Sequence, residues 1–429
     1  MRWVAACCLS MLTLQCPAVA QGQAHEHPAP EKLGKVTFPT SCSPEVQANF
    51  ERGVALLHSF AYTPASDEFR HVETADPQCA IAFWGEAMAN FHTLWDPPLI
   101  PGALERGKAA LDRAHQLGAK SEREQAFIAA LTPIFDGSNS VPYRARALRH
   151  EEAMRALAAR FPDDTETQVF FALALLATVS PDDKSHRNQK EAVGILEPLY
   201  QKLPQHPGIA HYLIHACDNA ELAPRGLAPA RDYSKIAPSA PHALHMPSHI
   251  FTRLGMWSDS IHSNIDAQAA AHQQDDVGEE LHAMDYLVYA YLQTAHYEEA
   301  SAVLRQLGNM KSLDAKDFKV SYAATAMPVR YAVERHEWAD ASQGSSPAGA
   351  PAHVAAVAAW ARAVGFARAG NTAAARKEID ILGNLENQLR EAGSDYWAVQ
   401  VPVVISFSRP PSPSAPMARQ TGRLFAVFT

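Results

Sequence analysis

One spacing returns along this chain and limits what it can fold into. In "FERGVALLHSFAYTPASDEFRHVETADP", Gly53, Tyr62, Ala65, Phe69 and Pro77 place small, aromatic, small, aromatic and proline residues at helical intervals. The spacing recurs as Ala192, Leu196, Leu199 and Pro204, as Trp257, Ser260 and Ala267, and as Tyr297, Ala300 and Leu304. It continues as Trp338 and Ala341, then as Gly370, Ala375, Ile379 and Leu382. Asn264 departs from it, being polar where the pattern asks for an apolar side chain. The aligned small residues Gly226, Ser260, Ala300, Ala341 and Ala375 step by 34, 40, 41 and 34 residues. A period of that length marks stacked supersecondary units, each burying its apolar face on its neighbours. Small residues let the two helices of a unit approach, and proline ends the second. Strand-like alternation is scarce. The expected class is all-α, a right-handed superhelical solenoid of helix-turn-helix repeats, with about eight units for this length. Stacking also accommodates 429 residues, more than one ordinary core holds.

Charge excludes some partners. The formal net charge is −9 and no dense Lys/Arg run occurs, which argues against nucleic acid and anionic membrane surfaces. The chain divides into a signal peptide over 1–20, an extended segment over 21–44, a repeat array over 45–402 and a Pro/Ser-rich tail over 403–429. Arg2, the apolar run after it and the small-x-small site Ala18–Ala20 predict export and cleavage, hence a periplasmic or secreted protein. No transmembrane span is expected in the mature chain. Cys42, Cys79 and Cys217 remain after cleavage. Cys42 and Cys79, about one repeat apart, are the candidate disulfide in an oxidising compartment; three buried thiols are the alternative. The tail loses all periodicity, as expected of either a natural disordered tail or an array cut short.

The segments "GKVTFPTSC", "RGVALLHSFAY", "DPQCAIAFWGEAM", "HPGIAHYLIHACD" and "APHALHMPSHIFTRLGMW" together resemble a group of secreted bacterial tetratricopeptide-repeat proteins, over roughly Leu33 to Val401. The resemblance implies the fold and no particular reaction. It also implies that positions 2, 5, 9, 12 and 13 of each unit's first helix line a concave groove. Numbered back from Pro238, His211, His215, Asp218 and Asn219 take positions 5, 9, 12 and 13. In the next unit His242, His245, His249 and Arg253 take 2, 5, 9 and 13, and in the one after it His282 and Asp285 take 2 and 5.

Residues four apart share a helix face, so the pairs His211/His215 and His245/His249 can each grip a metal ion. Adjacent helices lie roughly 8–10 Å apart, which lets two pairs converge on one ion with up to four nitrogens. Imidazole suits zinc, copper or iron. Asp218 or Asp285 can ligate or orient an imidazole, and Arg253 can hold a ligand carboxylate. Pro247 falls between His245 and His249, where it starts or kinks a helix. Two functions follow. The first is an exported scaffold whose histidine-rich groove holds a protein segment or a small ligand. The second is a metal-binding protein or metal-dependent enzyme built on His211, His215, His245 and His249. No phosphate loop, GxGxxG, GxSxG, HExxH or CxxC occurs. Trp84, Phe91 and His92 are expected in the core, with an aromatic pocket as the alternative. "NFHTLWDPPLIPG" and "TVSPDDKSHRNQ" are expected as loop insertions, the first on the binding face and the second a neutral surface loop, with the reverse placement of each as the alternative.

Overall fold

The computed structural model describes residues 31–94, 102–137, 140–180, 182–311 and 313–408. The signal peptide, the "HEH" at His25–His27, Trp95 with its prolines, and the tail from 409 onward lie outside them. Among the described residues the chain forms helices in hairpins. The first four are α1 (Gln47–His58) with α2 (Tyr62–Ala75), α3 (Ala80–Ala89) with α4 (Ala103–Leu117), α5 (Glu122–Phe135) with α6 (Tyr143–Arg160), and α7 (Thr165–Ala177) with α8 (Arg187–Lys202). Next come α9 (Pro207–Cys217) with α10 (Ala223–Ile236), and a first helix split into α11 (Pro241–His245) and α12 (Pro247–Arg253) with α13 (Trp257–Gln273). Then follow α14 (Val277–Gln293) with α15 (Tyr297–Asn309), α16 (Phe318–Glu334) with α17 (Trp338–Ala341), and α18 (Ala352–Arg368) with α19 (Thr372–Glu391). A last helix, α20, spans Asp395–Ser408. Among the described residues, nine hairpins therefore fit where the period suggested about eight, and helix continues past the expected array end at 402.

Local chemistry sets the helix starts. Ser121 caps α5 in a reciprocal box with Glu124, and the side chains of Asp164, Asp276, Asp317 and Asn371 each accept an N–H of the helix that follows. Successive helices pack on one another, giving the solenoid of tetratricopeptide-like hairpins. The small positions do what the pattern asks of them. A Cβ on Gly53 would meet the Phe69 ring at 2.8 Å, and one on Gly85 would meet it at 2.4 Å, so α1, α2 and α3 close on a single aromatic side chain. Phe38, Phe50, Phe69, Trp84 and Phe127 form a continuous aromatic core, with ring centroids 5.1–5.7 Å apart. Phe91 is buried with them, and His92 stacks on Tyr62 at 4.2 Å.

Contacts of the first hairpin break the neighbour-only rule of an open stack. The helix α1 also packs on α9 of the fifth hairpin. His58, at the end of α1, accepts from the Tyr212 hydroxyl at 2.9 Å and donates to Glu166 at 2.8 Å, and Glu166 accepts from His206 at 2.8 Å. Before α1, the chain runs extended, and Lys35 N–H donates to the Gln205 carbonyl at 2.8 Å. Gly34 allows this approach: it has φ +86°, and a Cβ there would sit 2.7 Å from the Gln205 carbonyl oxygen. Cys42 and Cys79 form a disulfide joining this segment to the start of α3, and Cys217 is a buried thiol. No described helix is long and apolar enough to cross a membrane.

Candidate metal centre

Six imidazoles gather where α9, α11, α12 and α14 present their first-helix faces. They fall into two triads: His211, His215 and His242, then His245, His249 and His282. Within each triad one nitrogen per ring lies within 4.8 Å of the other two. The expected arrangement was two pairs converging on one ion. The structure instead assigns each pair a separate third partner. Positions 5 and 9 of one unit meet position 2 of the next, and this happens twice in succession. A helix turn brings the i, i+4 pair together, and the following unit's first turn lies directly beside it.

The pairs are tight. His211 Nε2 is 3.0 Å from His215 Nε2, and His245 Nε2 is 3.0 Å from His249 Nε2. The second distance holds although Met246 and Pro247 divide the helix, because Met246 keeps helical angles (φ −54°, ψ −34°) across the junction. The break leaves the Met246 carbonyl to accept the His249 N–H at 3.1 Å, which tightens the turn between the two ligands.

The far nitrogens identify the near ones. His211 Nδ1 lies 2.6 Å from the His58 carbonyl, which only accepts, so Nδ1 carries the proton. His245 Nδ1 lies 2.7 Å from Asn264 Oδ1; the Asn264 amide nitrogen donates to the Ser260 carbonyl at 2.8 Å and so orients that oxygen. His249 Nδ1 donates to Asp218 at 2.9 Å, with the Tyr286 hydroxyl 3.3 Å away. His242 Nδ1 is 3.3 Å from Glu279. A neutral imidazole has one N–H. His211, His242 and His245, held neutral by burial, therefore point a bare Nε2 lone pair into the clusters, and His249 turns its Nε2 toward that of His245. At His245 and His249 the two Nε2 atoms face each other at 3.0 Å, a contact that needs a cation between them, either a proton or a metal ion. An ion about 2.0–2.1 Å from both nitrogens fits that separation at an angle of roughly 95°. The buried His242 Nε2 has no hydrogen-bond partner among the described residues. The outer acceptors are those that ligating histidines use: a backbone carbonyl, carboxylates and an amide.

Burial favours the neutral ligand form at His211, His215, His242, His245 and His282. It pushes His211, His215 and His245 well below the ordinary imidazole value, with neighbouring imidazoles adding to the effect. It lowers His242 against the opposing pull of Glu279, and takes His282 down to about 3. Burial alone would raise the Asp218 carboxyl, but His249 and Arg253 outweigh it and hold it below the carboxylate range. Glu279 behaves likewise, with Lys319 and His242 outweighing burial.

The neighbouring His58–Glu166–His206 group is a useful contrast. It too brings three possible ligands together, yet every ring nitrogen is already satisfied. His58 and His206 both donate to Glu166, and their other nitrogens accept from Tyr212 and the Ile209 N–H. That network asks for no ion.

The triads border a cavity of about 890 Å³. His215, His242, His249 and His282 open onto it, while His211 and His245 sit behind them. Met246, Tyr286, Phe318, Tyr322 and Trp397 wall it; the first insertion reaches it through Leu94, and the second, expected as a neutral surface loop, lines it through Val179, Ser180 and Asp182. Other predicted residues take supporting positions. The Arg253 Nε donates to Asp218 at 2.7 Å and so anchors the carboxylate rather than a ligand. Asp285 pairs with buried Arg330 and belongs to neither triad. Sequence reasoning missed Glu279, Lys319, which pairs with it, and the His58 carbonyl. It noticed Asn264 only as an irregularity.

No protein-family model and no curated protein matches this chain. Solved structures do. A Rap protein complexed with Competence and Sporulation Factor is 9% identical over 89% of this chain and 97% of its own, with a TM-score of 0.41. The apo form of RapI is 9% identical over 81% and 99%, at 0.40, and the APC/C hetero-tetramer Cut9-Hcn1 is 10% identical over 92% and 78%, at 0.38. Likeness at this level carries no site residue and no function across to this chain.

Proposed function

We propose that this chain is a metalloprotein in which each histidine triad holds one transition-metal ion, with an open coordination position facing a ligand cavity. The observation that carries the reading is the pair of facing Nε2 atoms of His245 and His249, 3.0 Å apart, each with its Nδ1 hydrogen-bonded elsewhere. Three protein ligands and an open fourth position are the pattern of a reactive metal site rather than a closed structural one. The cavity, about 890 Å³, falls in the range of small-molecule sites, so the ligand class is a small molecule or a single side chain offered by a protein segment. Stacked helical hairpins are themselves a protein-binding scaffold, and a partner on the outer repeats is compatible with this reading. The proposed compartment is periplasmic or extracellular, a reading the Cys42–Cys79 disulfide supports.

Elemental analysis of the protein, purified without a histidine tag and loaded in turn with zinc, copper and ferrous iron, tests this. Two equivalents of metal per chain are expected, falling to one in His215→Ala or His249→Ala and to none in the double variant. Absence of stoichiometric metal under every loading condition, or metal that persists in the double variant, would overturn it.

A further inference from the structure

We infer that the two ions are copper and that they act as one dinuclear centre whose ligand is dioxygen. This rests on the metal reading above and narrows it by charge, by spacing and by access.

The donor set is six neutral imidazoles, with no carboxylate and no thiolate in either triad. The two carboxylates that touch the triads from outside are each already matched by a cation, Asp218 by Arg253 and Glu279 by Lys319. The shell therefore contributes no net negative charge. Two divalent ions would leave four positive charges in a buried site, and two cuprous ions leave two. Uncompensated buried charge is costly, so the site favours the lower charge. Hard divalent pairs are matched by oxygen ligands, whereas imidazole serves copper in both oxidation states.

The triads touch. The His242 and His245 rings are 6.1 Å apart, His215 and His249 are 6.4 Å apart, and His211 and His242 close the first triad at 5.0 Å. Ions on the facing nitrogens are near enough for one two-atom ligand to reach both. Both triads also open on the same cavity, so a single molecule can approach the two ions together.

Charge also selects the reaction. Each cuprous ion gives one electron to dioxygen. The oxygen–oxygen double bond becomes a single bond, and the resulting dianion bridges two cupric ions. No proton moves, and the total charge of the centre stays at two positive. A neutral donor shell therefore accommodates both states equally. The cuprous state is supplied by a one-electron reductant, of which ascorbate is the probe.

The test loads the full chain anaerobically with copper reduced by ascorbate, removes excess reductant, and then admits oxygen. Two coppers per chain should take up one dioxygen. The oxidised protein should show less than a tenth of its copper by electron paramagnetic resonance, because the two cupric spins couple through the bridge. His282→Ala and, independently, His282→Gln should bind about half the copper, take up no dioxygen and show ordinary cupric signals. Two coppers with full-intensity uncoupled signals would overturn the inference and leave the metal reading standing. Preferential uptake of zinc from an equimolar mixture with cuprous ion would do the same. Failure to bind any metal would sink both.

Discussion

Replacing Asp218 with asparagine should weaken one triad and spare the other. Asp218 accepts from His249 Nδ1 at 2.9 Å through one oxygen and from Arg253 Nε at 2.7 Å through the other. Asparagine keeps one acceptor oxygen for these two donors, so one of them must lose its partner. The charge that pins the His249 tautomer and strengthens Nε2 as a ligand is lost as well. Changes of this kind cost about 10–100-fold in metal affinity, or about 1.4–2.7 kcal/mol. Stability should fall too, by about 1.5–3 kcal/mol for a lost hydrogen bond to a charged group. The sign follows from the titration. The Asp218 carboxyl is held below its ordinary value of 3.8 when folded, so its contribution is complete at neutral pH and is lost as pH falls through the folded value. Wild type and variant should therefore differ at pH 7 and converge in strong acid. Titration against a competing chelator separates the two sites. One dissociation constant should rise 10–100-fold while that of the His211–His215–His242 triad stays within threefold. Equal weakening of both sites, or of neither, would refute the assignment of Asp218 to His249.

Three further outcomes follow from the same packing and titration arguments. Gly85→Ala places a Cβ about 2.4 Å from the buried Phe69 ring and should cost about 1–3 kcal/mol, read as a lower urea midpoint; an unchanged midpoint would contradict the close approach. Cys42→Ser opens a loop of 37 residues and should cost about 4 kcal/mol by chain entropy, whereas a variant as stable as the oxidised parent would remove the disulfide from the account. His150 is buried, donates to the Ala130 carbonyl at 2.7 Å and is held down at about 4, so the unfolded chain takes up a proton near 6.5 that the folded chain refuses. Wild-type stability should thus carry a loss of about 1.4 kcal/mol per pH unit from that residue between 6.5 and about 4, and the gap between wild type and His150→Gln should narrow by about 2 kcal/mol from pH 7 to pH 5. A constant gap in urea melts would contradict this.

Much of the fold was legible because its contacts are local. A small residue such as Gly53 is required wherever two helices of a hairpin close on a ring, so the repeat leaves its mark at regular steps. The closure of α1 on α9 leaves no such mark. Its partners, His58, Glu166 and Tyr212, lie in three different units, and nothing periodic relates them. The histidine pairs were legible as i, i+4 neighbours, but their grouping was not. Whether His242 joins His211 or His245 depends on how one unit's first turn sits beside the previous helix, a rotation that spacing alone does not determine. Asn264 is the instructive case. It broke the repeat pattern, and the structure supplies the reason: it is fully buried and holds the His245 proton, so an apolar side chain there would leave that ring free to turn. A local rule broken in a core position marks a functional demand.

Anomalous scattering from crystals grown with metal tests most directly for two ions among the six imidazoles. Difference maps at the edge of the loaded metal should show two peaks, one about 2 Å from the Nε2 atoms of His211, His215 and His242 and one at the same distance from those of His245 and His249, beside the His282 ring. A single peak shared between the triads would return the site to the four-histidine arrangement. Peaks elsewhere, or none, would contradict the claim outright.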